Sequence, residues 1–290
     1  VKIKDILNTK NFLFSMEIFP PKPNYEISTI YDTIEKLIIL KPDFISVTYG
    51  AGGSTRGRTV EIAEKIINDY KTPALAHLTC IGATKDSISE ILYEMKNKNI
   101  KNILALRGDL PEGEKSPFLD FKYAVDLIRF IKSNNDWDFC IGVAGYPEKH
   151  PEAKSMKEDI IHLKEKVDAG ADFIITQLFL NNDYFFRFLD TCRSSGINVP
   201  VIPGIMTATK IAHIENMAKK CKVEIPEIFR KATMNSDPQC DICEETIEYT
   251  AKQIDDLINN RVKGIHLYTM NKVEQNKRIY YKSLLNKIRK

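Results

Sequence analysis

The sequence predicts an α/β fold, a single (β/α)8 TIM barrel with extra helices before the eighth strand, on three observations. Eight short apolar runs recur along the 290 residues. Most are apolar on both faces, as expected of strands covered on both sides in a parallel sheet. The stretches between them carry helical periodicity. With no composition break, no linker and no Gly-rich dinucleotide fingerprint, one barrel over 1–290 is favoured over a doubly wound sheet or two domains.

The strands are expected at 12–20, 43–50, 74–80, 102–108, 139–147, 173–180, 201–205 and 264–271. Each of the first six gaps between them has room for one helix with its loops. In the third gap Ile88, Ile91, Leu92 and Met95 share one helical face, and Thr84 with Ser87 forms a plausible cap. In the fifth, Ile160, Leu163 and Val167 repeat the pattern and Gly170 is the stop. The last gap, 206–263, is far longer than the others and must hold more than one helix, divided by Pro226 and the turn Asn235-Ser236-Asp237-Pro238.

Composition narrows the function classes. Hydrophobic residues make up 43%, enough for a packed core, and Lys+Arg 42 against Asp+Glu 39 leaves a net charge of only +3. That balance argues against electrostatically driven binding to nucleic acid or membrane. The basic end, Lys277 to Lys290, reads as a solvated last helix. No apolar run approaches the ~20 residues of a membrane span, and the first residues do not resemble a signal peptide, so a cytoplasmic location is expected. The six cysteines read as reduced. Cys240 and Cys243 form a C-x-x-C without a second pair at zinc spacing, and no metal site is expected.

In such a barrel the active site lies at the C-terminal ends of the strands. Those ends carry Glu17, Thr48 with Tyr49, His77 with Thr79, Arg107-Gly108-Asp109, Tyr146 with His150, and Gln177. Singly, each has a structural alternative: Glu17 could pair with a lysine, and His77 could be a hydrogen-bonded core histidine. Their convergence from six strands points instead to one polar cavity. Read alone, Arg107-Gly108-Asp109 matches an adhesion tripeptide, but it ends a buried strand.

The segments Phe14-Ser15-Met16-Glu17-Ile18-Phe19-Pro20-Pro21-Lys22, Val47-Thr48-Tyr49-Gly50-Ala51, His77-Leu78-Thr79-Cys80, Ala105-Leu106-Arg107-Gly108-Asp109-Leu110-Pro111, Tyr146-Pro147-Glu148-Lys149-His150-Pro151-Glu152-Ala153, Lys166-Val167-Asp168-Ala169-Gly170-Ala171 and Ile175-Thr176-Gln177 closely resemble the 5,10-methylenetetrahydrofolate reductase family of the bacterial, single-domain type. The resemblance covers nearly the whole chain in order. It implies a barrel holding FAD at its C-terminal rim, reduced by NAD(P)H, with NADH favoured, and reoxidised by methylenetetrahydrofolate in a ping-pong cycle that makes 5-methyltetrahydrofolate for methionine supply. Another flavin-dependent barrel oxidoreductase, such as a proline dehydrogenase relative, is the nearest alternative.

By that resemblance Glu17 is the general acid for opening the folate ring, Asp109 tunes the reduced flavin, and Gln177 serves folate and nicotinamide in turn. For Glu17 to hold a proton at neutral pH its pKa must be raised, which burial and a nearby Asp109 would do. Cofactor-binding positions carry over to Thr48, Tyr49, Ala51, His77, Arg107, Gly108, Asp109, Tyr123, Ala124, Tyr146, His150, Asp159 and Lys166, with Arg107 and Lys166 as cations for the pyrophosphate. Glu17, Asp109, Gln177, His213 and Lys272 are expected at the folate. The chain departs from the family pattern at Glu165 and Lys272, where arginines are expected, and at Met217, near where an aromatic stacks on substrate. A homo-oligomer is expected, and the family also admits an electron-supplying partner subunit.

Overall fold

The computed structural model describes residues 1–22, 24–49, 56–109, 119–207, 211–234 and 242–285. Strands β1 (Leu13–Ile18), β2 (Phe44–Val47), β3 (Ala74–Thr79), β4 (Asn102–Leu106), β5 (Cys140–Gly145) and β6 (Phe173–Thr176) pair in sequence order, every pair parallel. The seventh barrel strand is split into β7 (Val201–Ile202), on β6, and β8 (Gly204–Met206), on β9 (Gly264–Tyr268). Because β9 also pairs with β1, the sheet curls into a barrel whose seam is this split strand. Pro203 marks the break, since proline has no N–H for the ladder; its carbonyl still accepts from His266 N at 3.0 Å.

All eight expected strands are present, and the strand alternation sorts their side chains into two sets. Phe14, Met16, Ile45, Val47, Ala76, Leu78, Ile103, Ile141 and Ile174 face outward into the core under the helices. Leu13, Phe44, Leu75, Leu104, Phe173 and Ile202 fill the bottom of the barrel interior. Helix α1 (Ile3–Thr9), not foreseen from the sequence, plugs that end with Ile3 and Leu7. Asn102 anchors it, accepting from Ile3 N at 2.7 Å and donating to Val1 O and Ala74 O.

The outer layer comprises α2 (Ser28–Ile38), α3 (Arg56–Tyr70), α4 (Lys85–Asn97), α5 (Ala124–Ser133), α6 (Met156–Asp168) and α7 (Asn182–Ser194), one after each strand from β1 to β6. Ile88, Ile91, Leu92 and Met95 are buried on α4, whose N-cap Thr84 accepts from Ser87 N at its hydroxyl while Ser87 Oγ accepts from Thr84 N. Gly170 ends α6 at φ 114°, a conformation costly for other residues. The long seventh gap holds the extra helices α8 (Ile211–Cys221), α9 (Glu227–Thr233) and α10 (Glu244–Asn259). After β9, α11 (Val273–Ile279) runs into a wider turn at Tyr280–Leu284. No helix among the described residues is long and apolar enough to cross a membrane.

Candidate active site

Above the apolar floor the barrel interior turns polar. Alternation places Ser15 and Glu17 on the inward face of β1, Ser46 on β2, His77 on β3, and His266 and Tyr268 on β9. Glu17, buried, is the centre of this set. Its Oε2 lies 3.3 Å from His77 Nε2 and 3.6 Å from His266 Nε2. Ser46 bridges, with its hydroxyl 3.4 Å from Glu17 Oε2 and 2.6 Å from His77 Nε2. On the far side Ser15 Oγ is 2.8 Å from His266 Nδ1. The neutral tautomer of His266 that suits this geometry accepts from Ser15 at Nδ1 and turns its Nε2–H toward Glu17.

Burial by itself would raise the Glu17 carboxyl, but His266 and His77 outweigh it and bring the group down to about 2. At 3.6 Å the His266 approach is electrostatic rather than a formed hydrogen bond, and among the described residues its Nε2 has no hydrogen-bond partner. This corrects the expectation of a raised pKa. Asp109 is not among the main influences on Glu17, and the two imidazoles that are come from strands far away in sequence. Burial likewise pushes His266 down, so the pair is carboxylate and neutral imidazole.

A second group gathers at the ends of β4 and β5. Arg107 is forked onto Glu152 through two bonds of 2.6 Å, so an anion claiming Arg107 must compete with that carboxylate. Tyr146 packs edge-on against His150 with centroids 4.6 Å apart. His150 Nδ1 accepts from Glu152 N, which leaves Nε2 to carry the ring proton as a donor. Asp159, one of the expected cofactor residues, accepts from His150 N at 2.9 Å and so buttresses this loop. Lys166 reaches from α6 to Ala144 O at 2.7 Å. Part of its side chain meets solvent, but its ammonium is enclosed, and burial brings it down to about 8. Among the described residues no carboxylate lies within ion-pair distance of that ammonium.

Electrostatic influence links the two groups. Besides burial, the Tyr146 phenol is raised by Asp159 and Asp109 and lowered by Arg107. The Tyr268 phenol, raised first by burial, senses Glu17, Tyr146 and Cys221. Asp109 is exposed at the rim. Gln177 follows β6, its N–H on Gly145 O and its Oε1 accepting from Leu178 N, which leaves the side-chain NH2 available to a ligand.

The remaining expected residues are more peripheral. Thr48 and Tyr49 are half-buried just after β2. Tyr123 is half exposed beside Lys122 and gives its N–H to Asp126, with Ala124 opening α5. Gly108 takes φ 92° behind Arg107. His213 on α8 and Lys272, the residue before α11, are exposed. Glu165 lies on the outer side of α6 near His162. Ala51 and Cys240 lie outside the described residues. Sequence reasoning left Ser15, Ser46 and His266 out of the site; polar residues at inward positions of otherwise apolar strands were the available signal.

Fold and site together define a (β/α)-barrel enzyme with its chemistry at the C-terminal ends of the strands. A profile of the family "Methylenetetrahydrofolate reductase" matches residues 2–284. The chain belongs to this family, whose members are flavoprotein oxidoreductases of folate one-carbon metabolism. It is 39% identical over 277 residues to 5,10-methylenetetrahydrofolate reductase of Buchnera aphidicola, covering 92% of each protein. To the Escherichia coli enzyme of that name it is 39% identical over 261 residues, 90% of this chain and 86% of the relative. The Arabidopsis thaliana protein "Methylenetetrahydrofolate reductase (NADH) 1" is 36% identical over 284 residues, of which this chain spans about half the length, 48%. A solved Clostridium thermocellum protein, described as binding two copies of 5-methyl-5,6,7,8-tetrahydrofolic acid, shares the fold at TM-score 0.69 and 18% identity over 99% of both chains.

Proposed function

We propose that this chain, as one catalytic barrel over 1–290, reduces 5,10-methylenetetrahydrofolate to 5-methyltetrahydrofolate with NAD(P)H, NADH being preferred, through bound FAD. The observation that carries the reading, beyond family membership, is a buried carboxylate held by two imidazoles in the mouth of the barrel, beside a rim with two cations. The rim suits FAD. The enclosed ammonium of Lys166 has no carboxylate within ion-pair distance among the described residues and senses Asp159 only from further off, so a pyrophosphate would add a direct counter-charge. Arg107 would offer a planar fork in exchange for Glu152, and His150 a ring N–H and Tyr146 an aromatic face. FAD, when bound, accepts hydride from the nicotinamide and passes it to the folate.

The protein's own part is binding and proton management. Glu17 protonates N10 as the C–N10 bond of the folate's five-membered ring breaks, which leaves an iminium at N5 to accept hydride and become the methyl group. In the free chain Glu17 is ionised, so its proton comes through the neighbouring groups: His77 Nε2 stands 3.3 Å away and Ser46 connects the two. Gln177 donates its free NH2 to either substrate, and Lys272 pairs with the glutamate tail as a point charge rather than a fork. The name of the Arabidopsis relative supports the NADH preference.

The test is the visible spectrum of the purified, FAD-loaded protein under anaerobic conditions. NADH should bleach the flavin bands and methylenetetrahydrofolate should restore them. A protein that takes up no FAD, or whose reduced flavin is not reoxidised by the folate, would sink the proposal.

A further inference from the structure

Between β6 and the seventh strand the ladder ends at Ile175 and Ile202. Pro203 has no N–H to continue it, and Gly204 N donates to the Thr176 side-chain hydroxyl at 3.0 Å rather than to the ladder. The Thr176 carbonyl is taken up from the other side of the seam, by the hydroxyl of Tyr268 at 2.5 Å. Residue 204 has to be glycine for this to fit. A Cβ there would stand 2.2 Å from Thr176 O and 2.6 Å from the Tyr268 hydroxyl. Tyr268 therefore runs from β9, where its register partner is Glu17, to the last residue of β6, directly before Gln177. Its ring also meets His266 edge-on at 5.3 Å.

We propose that Tyr268 is a positioning residue for the reductase reaction: its hydroxyl clamps the Thr176 carbonyl and thereby fixes the backbone that aims Gln177 into the mouth beside Glu17. One side chain thus ties the strand of the general acid to the strand of the substrate amide across the gap that Pro203 leaves. Among the described residues the Gln177 main chain is otherwise held by its N–H on Gly145 O. Burial raises the Tyr268 phenol well above its usual value, so the hydroxyl remains a donor throughout the working range. The proposal rests on reading Gln177 as a substrate ligand.

A double-mutant cycle with Tyr268→Phe and Gln177→Ala on the FAD-loaded protein tests it, reading KM and kcat of each half-reaction by stopped flow, with flavin content and thermal midpoint as controls. Tyr268→Phe, losing one hydrogen bond, should lower kcat/KM for the folate about three- to tenfold with flavin content unchanged. In the Gln177→Ala background the same change should cost less than about twofold, because acting through Gln177 makes the effects non-additive. If Tyr268→Phe lowers the thermal midpoint, the same cycle is read well below that midpoint, where the folded, flavin-loaded fraction carries the comparison. A costly Gln177→Ala with a silent or fully additive Tyr268→Phe overturns the Tyr268 role alone. A silent Gln177→Ala overturns the reading of Gln177 and the clamp with it.

Discussion

At the scale of single residues, Glu17 and Lys166 are opposite cases of a buried charge. Glu17 keeps its charge because donors face it, and its carboxyl falls to about 2. A carboxyl lowered in the fold contributes stability above its unfolded value, near 4.5, and loses it as pH falls toward 2. Glu17→Gln should therefore cost about 1–3 kcal/mol at pH 7, and urea unfolding curves of the two proteins should converge below pH 4.5. The same variant should abolish folate reduction yet leave flavin reduction by NADH largely intact; equal loss in both half-reactions would refute the acid role. Lys166, by contrast, has its ammonium enclosed against a carbonyl and falls to about 8. Between that value and 10.5 the unfolded chain binds more protons, so stability due to Lys166 rises with pH across the window. Lys166→Met should flatten that rise, add about 1–3 kcal/mol at pH 7 in the FAD-free protein, and weaken FAD binding.

At the scale of elements, local chemistry and long-range packing divide the work. Helix α4 is set locally, by the reciprocal Thr84–Ser87 cap and a four-residue apolar face. Thr84→Ala should cost about 1 kcal/mol, read as a lower urea midpoint with activity retained. The split between β7 and β8 is local in cause, Pro203, but its repair is not, since Tyr268 arrives from a strand 92 residues beyond Thr176. Helix α1 is illegible in the sequence for a related reason. Seven residues with two buried side chains give too little periodicity to read, and its stability comes from plugging the barrel and bonding Asn102.

For the whole molecule, closure of the sheet matters most, because it turns eight separate strand ends into one mouth. A ligand that bridges several of those ends stabilises the closed barrel by mass action. FAD at about a hundred times its Kd should add ~2.7 kcal/mol and raise the thermal midpoint by roughly 5 °C. Lys166→Met should lose most of that rise, and a midpoint insensitive to FAD would contradict the cofactor reading.

The sequence by itself determined the strand order, the barrel and the extra helices of the seventh gap, because each follows from local periodicity and spacing. It also placed Glu17, Arg107, Tyr146 and Gln177 at strand ends, where barrels put their chemistry. Tertiary structure alone decided the protonation of Glu17, since that depends on His77, two strands further along the chain, and on His266, carried by the last strand of the barrel. It likewise revealed Asp159 as a buttress of the His150 loop and Tyr268 as a tie across the seam. Distances between side chains on different strands are fixed by register and closure, and neither is encoded in a single segment.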